Sequence, residues 1–209
     1  EAARLAQERL AKVLVRQEQR FGYGDPNLGR VYRALGRTAS GLGDLDTAEE
    51  RLEVALALQE EELFTPLDLF EPLYELASLH REQGSEERAC HILEENLDRA
   101  RPSGRHEKIA KMSHLLAQSY EKRGVSGPAE SSWRETIENL ETALEVSGAE
   151  EAKLRIFRKL LEPLHRLASL LTSHRRYTAA EELTKKRLNY TEALKPAEAT
   201  VAEVLFDLA

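Results

Sequence analysis

Two stretches, Glu71–Leu79 "EPLYELASL" and Glu162–Leu170 "EPLHRLASL", decide the fold. They differ only at Tyr74/His165 and Glu75/Arg166, and they start 91 residues apart. A near-copy of this kind within one chain is the mark of a repeat architecture. The pair Leu76–Ala77 inside the first copy recurs as Leu35–Gly36, Leu116–Ala117, Leu167–Ala168 and Leu208–Ala209. From Leu35 onward the steps are 41, 40, 51 and 41 residues. Eight residues after each of the first four leucines comes a turn position: Gly43, Gly84, Gly124 and Arg175. Five residues further an alanine recurs at Ala48, Ala89, Ala129 and Ala180, and four beyond that stand Leu52, Leu93, Trp133 and Thr184. Small residues in fixed columns let helix axes approach, and large residues fill the gaps left between them.

Composition favours helix. Glycine and proline number only 11 and 7 in 209 residues, and leucine, alanine, glutamate and arginine dominate. The net charge of −7 argues against nucleic acid as the main partner, because phosphate binding needs a basic stripe. A single cysteine, Cys90, excludes an internal disulfide and points to a reducing, intracellular (cytoplasmic) setting. No apolar run approaches the ~20 residues of a membrane span.

Apolar spacing is helical almost throughout, and short breaker clusters divide the chain into helices of about 15–25 residues. Asp25–Pro26 and Thr65–Pro66 read as helix starts, Asp46 with Glu49 as a capping box, and Pro128 as a start after a Ser126–Gly127 turn. Pro72 and Pro163 should kink their helices or mark their true starts. The expected organisation is one array. Residues 1–22 are the second helix of a partial repeat, with Ala6 in the alanine column. Full repeats follow at 26–63, 65–101, 105–147 and 149–194, and 196–209 is the first helix of a further partial repeat. The step of 51 predicts a stretched hairpin over 128–147 and 149–173. Neither end offers the polar cap of a finished solenoid, so the reading expects an excerpt of a longer array.

This pattern resembles the tetratricopeptide repeat. The long period, the Asp25–Pro26 start and "RRYTAAEEL" (175–183) are similar to the kinesin-light-chain type of that repeat. The resemblance implies an all-α, right-handed solenoid of antiparallel helical hairpins, in which the first helices line a concave groove. It further implies that the groove-facing residues lie just before and after the leucine column. These are Arg30, Arg33 and Arg37; Glu71, Tyr74 and Ser78; Lys111, His114 and Gln118; and Glu162, His165 and Ser169. Kinesin-light-chain repeats carry asparagines before that leucine. Here Arg33–Ala34, Tyr74–Glu75, His114–Leu115 and His165–Arg166 stand instead, so the family's cargo specificity is not carried over. The Lys/Asn clamp of chaperone-binding members is absent too.

Spacings of three and four place Arg30, Arg33 and Arg37 on one helical face, suited to a carboxylate or an acidic peptide. The competing reading pairs them with glutamates of residues 1–20 or leaves them solvated. The expected function is a protein–protein interaction scaffold. Arg30, Arg33, Arg37, Lys111 and His114 would take anionic groups, Tyr74 and His165 stacking or apolar contacts, and Ser78 and Gln118 polar ones. Two other readings stand beside it: the regulatory or sensor arm of a larger protein, and a structural element that self-associates end to end. No catalytic, metal or cofactor motif occurs, so neither enzyme activity nor a cofactor is expected. His80, Cys90 and Trp133 fall in packing positions.

Overall fold

A computed structural model describes residues 2–23, 25, 27–60 and 70–194. The described residues form nine α-helices and one 3-10 turn. The chain divides into two compact units, Glu1–Ser103 and Gly104–Ala209.

The first unit holds α1 (Ala2–Phe21), α2 (Asn27–Gly41), α3 (Leu45–Glu60), α4 (Phe70–Glu82) and α5 (Glu86–Ala100), each packed on the next. One core cluster centres on Leu14, Leu28, Leu35 and Leu58, and another on Ala39, Ala48, Leu52, Leu76 and Leu79. The second unit holds α6 (His106–Lys122), α7 (Ser126–Glu145), α8 (Glu150–Ser173) and α9 (Tyr177–Ala193), again packed in sequence. A single core runs through it from Ala110 and Ala117 past Trp133, Leu160 and Leu164 to Leu171 and Ala180.

The repeated columns are the cores of the hairpins. The leucines at 35, 76, 116 and 167, their small neighbours and the alanines at 48, 89, 129 and 180 are all buried. Leu52, Leu93, Trp133 and Thr184 are buried as well. Gly36 shows why the column is small: a Cβ there would lie 2.9 Å from Leu52 Cγ and 3.2 Å from the Ala48 carbonyl oxygen. The two helices of that hairpin meet almost backbone to side chain.

Four hairpins share one turn. The turn residue has positive φ in each case: +80° at Gly43, +78° at Gly84, +74° at Gly124 and +60° at Arg175. In each, its N–H bonds back three residues and the following N–H bonds back five, as with Gly43 to Ser40 and Asp44 to Ala39. These bonds satisfy carbonyls that a helix end leaves open. Glycine is the residue for that conformation, and Arg175 adopts it with a side chain present.

Several boundaries differ from expectation. Asp25 does cap α2: its carboxylate accepts from the Asn27 N–H at 2.9 Å. The start of α3, however, is capped by Asp44, which accepts from Thr47 N–H at 3.3 Å. Asp46 lies one residue inside the helix, and Glu49 accepts from Gln83 instead. The Asp44 carboxylate reaches the open N–H groups because the turn at Gly43 leaves it at the threshold. Ser126 and Gly127 are the first residues of α7, not a turn before it. Pro72 lies in the first turn of α4, where its missing N–H costs nothing, whereas Pro163 sits buried inside an uninterrupted α8. The stretched step appears as helices of 20 and 24 residues, α7 and α8. The Thr65–Pro66 start, Pro26, the side chain of Ala6 and the helix at 196–209 with Leu208–Ala209 lie outside the described residues.

Candidate interaction faces

In the first unit the arginines of α2 turn toward α4. Arg33 Nε lies 3.7 Å from Glu75 Oε2, and Arg37 Nε lies 3.6 Å from Glu75 Oε1. These are ion pairs beyond hydrogen-bond length. The alternative partner set, the glutamates of residues 1–20, is corrected: the acid is Glu75, one repeat further on. Equivalent positions of successive first helices are neighbours, whereas Glu18 accepts from the Tyr32 hydroxyl at 2.9 Å. The Glu75 side chain is 16% exposed and that of Arg37 65%. Arg30 is exposed, with no ion pair among the described residues.

Tyr74 is half-buried, and burial pushes its hydroxyl above the ordinary range. Ser78 Oγ donates to the Tyr74 carbonyl at 3.0 Å, so it serves its own helix. Glu71 is half-buried on the same helix.

In the second unit the polar residues of α6 and α8 meet as a ladder. Glu107 accepts from Arg155 Nη2 at 3.0 Å and Lys159 Nζ at 2.7 Å. The lysine hydrogen bond is the main reason its carboxyl is held below the usual range, outweighing partial burial. One turn-pair along, His114 Nε2 lies 2.9 Å from Gln118 Nε2 and 3.6 Å from Glu162 Oε2, and Gln118 donates to Glu162 Oε1 at 3.2 Å. The His114 ring stands edge-on to Trp133, with centroids 5.0 Å apart. Trp133 Nε1 donates to Glu121 Oε1 at 3.0 Å, and Arg166 binds the other oxygen of that carboxylate. His165 Nδ1 lies 3.2 Å from Arg187 Nη1 of α9. Lys111 and Ser169 are exposed.

The second helices of this unit are tied in the same way. Glu130 of α7 takes Arg134 and Arg176, each at 2.8 Å. Burial alone would raise the Glu130 carboxyl, but the two guanidinium groups outweigh it and the net shift is downward. Glu141 takes Lys186 at 2.6 Å and the Tyr190 hydroxyl at 3.0 Å. Burial, together with the Glu141 charge, raises the Tyr190 hydroxyl.

The structure therefore brings together His114, Gln118 and Glu162, and brings Arg33 and Arg37 to Glu75. It gives Ser78 a structural task and leaves Arg30 outside the Glu75 ion pairs. The partners Glu75, Glu107 and Glu121 were not singled out as partners by sequence reading. Their signal was available, since most pairs join opposite charges about one repeat step apart.

Other polar residues sit in the fabric of the hairpins. His80 is buried, with Nδ1 3.2 Å from Gln83 Oε1 and Nε2 3.9 Å from Glu49. His106 Nδ1 lies 3.0 Å from Asn139 Oδ1. Cys90 is buried. Among the described residues no cluster of His, Cys, Asp and Glu is placed to hold a metal, and no helix is long and apolar enough to cross a membrane.

Residues 3–61 match the family profile described as tetratricopeptide repeat. No curated protein matches the sequence. Among solved structures, BtubC (BKLC) from P. vanneervenii is similar at 20% identity and a TM-score of 0.69, with 99% of this chain and 79% of that one covered. A Podosopora anserina kinesin light chain protein of nearly identical TPR-like repeats is 19% identical at a TM-score of 0.70, covering 93% and 90%. Aspartyl phosphate phosphatase F from Bacillus subtilis shares the fold at 10% identity and a TM-score of 0.70, over 87% of this chain and 44% of its own. Tetratricopeptide repeats generally serve protein–protein interaction. The chain thus shares the all-α hairpin fold of these structures, and its residues 3–61 match the tetratricopeptide repeat.

Proposed function

We propose that this protein is an interaction module that takes an acidic segment of a partner protein on the α2–α4 face of its first unit. The observation that carries this reading is the charge imbalance there. Arg33 and Arg37 share the one carboxylate of Glu75 at 3.6–3.7 Å, with Arg30 beside them on the same helix. Each arginine meets Glu75 through Nε, so the terminal nitrogens of each guanidinium lie farther from it than Nε does. That edge can take a further carboxylate bidentately. In the second unit Lys111 and His114 are assigned further anionic contacts, Tyr74 and His165 the stacking contacts of their own units, and Gln118 a polar one. The buried Cys90 fits an intracellular setting.

The test uses fluorescently labelled acidic peptides at low salt and the full 209-residue chain. The double variant Arg33→Glu/Arg37→Glu should lose at least about tenfold in affinity, the loss of two charge-assisted contacts. Unchanged affinity rejects the reading.

A second reading, the regulatory arm of a larger protein, has its own support. The same fold forms 34% of a signal-transduction ATPase with numerous domains and a tetratricopeptide repeat sensor, from Pyrococcus horikoshii, at 15% identity. The coding sequence on either side of this segment tests it: a catalytic domain there supports it, and an uninterrupted run of repeats removes it.

A further inference from the structure

We propose that the cleft between α7 and α9 in the second unit docks an amphipathic helix from a partner protein. An apolar side chain of that helix enters the cleft, and two basic side chains seven residues apart meet Glu138 and Glu145. This site is separate from the arginine face and does not rest on the reading of it.

The cleft has a volume of about 460 Å³ and a floor of Ile137, Leu167 and Leu183, contributed by three helices. Its rim is charged, and the charges do not balance. Arg134 is held by Glu130 at 2.8 Å, and Lys186 by Glu141 at 2.6 Å, so both cations at the rim are already paired. Glu138 and Glu145 are exposed, and among the described residues their carboxylates have neither an ion pair nor a hydrogen bond. What remains is an apolar slot with an uncompensated carboxylate toward each end.

The spacing of those carboxylates selects the occupant. Seven residues of α-helix rise about 10 Å and return to nearly the same face. A partner helix with basic residues at i and i+7 and an apolar residue at i+3 or i+4 presents the complementary stripe. An extended segment fits less well, because residues three apart in a strand point to opposite faces.

The repeat itself does not require this part of α7. Aligning Ala129 with Ala89 sets Leu140 against Ala100, where α5 ends. Residues Glu141–Glu145 are the extra turn, fastened to the core by Ala143. Glu141, Thr142 and Glu145 of that turn line the cleft.

The probe is a fluorescein-labelled, hydrocarbon-stapled alanine-rich helix with lysines at i and i+7 and leucine at i+4. The control peptide has glutamate for both lysines. Binding to the full 209-residue chain is followed by anisotropy at low salt. The lysine peptide should bind at least about tenfold more tightly than the glutamate peptide. The variant Glu138→Lys/Glu145→Lys should abolish that preference, and Thr142→Trp, which fills the mouth, should weaken binding. Arg33→Glu/Arg37→Glu should leave it intact. Both cleft glutamates are exposed, and melting curves check that the charge-reversed protein keeps its fold. Equal binding of the two peptides, no binding of the lysine peptide, or full affinity in the folded charge-reversed variant would each overturn the proposal.

Discussion

In the first unit the column after the leucine holds Gly36 and Ala77; in the second it holds Ala117 and Ala168. The facing column holds Leu52 and Leu93 in the first unit, and Trp133 and Thr184 in the second. The turns are closed by Gly43 and Gly84 on one side, by Gly124 and Arg175 on the other. The surfaces differ more. The first unit sets two arginines of the earlier helix against one glutamate of the later one. The second reverses the sign, with Glu107 and Glu121 on the earlier helix and Arg155, Lys159 and Arg166 on the later. Packing thus fixes which columns are buried and keeps the first one small, but not the size of the residue that stands in the second. Charge is free to run in either direction provided that opposite signs stand about one repeat apart.

The largest test of this contrast concerns the filled column. Trp133→Ala should destabilise the second unit by about 3–5 kcal/mol, through a large cavity and a Glu121 oxygen that loses its indole donor. Leu52→Ala should cost the first unit about 2–5 kcal/mol. Denaturant unfolding followed by circular dichroism measures both, since Trp133 is the one tryptophan and its fluorescence is lost in the variant.

The small column gives the next effect. Gly36→Ala should lower stability by about 1 kcal/mol although alanine is the better helix former, because the new methyl meets Leu52 Cγ at 2.9 Å. Ala117→Gly should cost about the same through helix propensity alone. A gain in melting temperature for Gly36→Ala would show that α2 and α3 have room to separate.

The turns should respond in opposite senses. Gly124→Ala places a side chain at φ +74° and should cost about 1 kcal/mol. Arg175→Gly should raise stability by about 0.5 kcal/mol, relief of the left-handed conformation being partly offset by the more flexible unfolded chain. A loss of stability in Arg175→Gly, or no loss in Gly124→Ala, would break the view that the four turns are the same device.

The smallest effect is a pH dependence. Glu107 has its carboxyl depressed in the folded protein, chiefly by the Lys159 hydrogen bond. It releases its proton more readily folded than unfolded, so its contribution is present above the ordinary carboxylate pKa and is lost as pH falls through the depressed folded value. Glu107→Gln should therefore lower stability at neutral and alkaline pH and flatten the acid limb of the profile, while changing little below the depressed folded value. A profile identical to that of the parent protein would show that this exposed pair is screened out.

The helices, their pairing in sequence and the buried columns were legible because each depends on local periodicity and on residue size. Even the odd member of the turn series, Arg175, stood at the expected position. The caps were less legible. Asp44 and Asp46 both suit a helix start, and only the geometry of the Gly43 turn selects the first. The arginine face was found, but its partner was not: Glu75 was marked as a difference between the two copies without being matched to Arg33 and Arg37. The cleft over Ile137, Leu167 and Leu183 was invisible, because it depends on three helices meeting.

By itself, then, the sequence determined an all-helical repeat, its register of 40 to 51 residues and the side chains that fill its interior. Those properties follow from which residues recur at which spacing. The tertiary structure alone decided which charges neutralise each other and which are left over. Ion pairs such as Glu107 with Lys159 join residues 52 apart, and a carboxylate counts as free or engaged only when the neighbouring helix has been placed. Composition fixes the number of charges, and packing decides where the unbalanced ones lie.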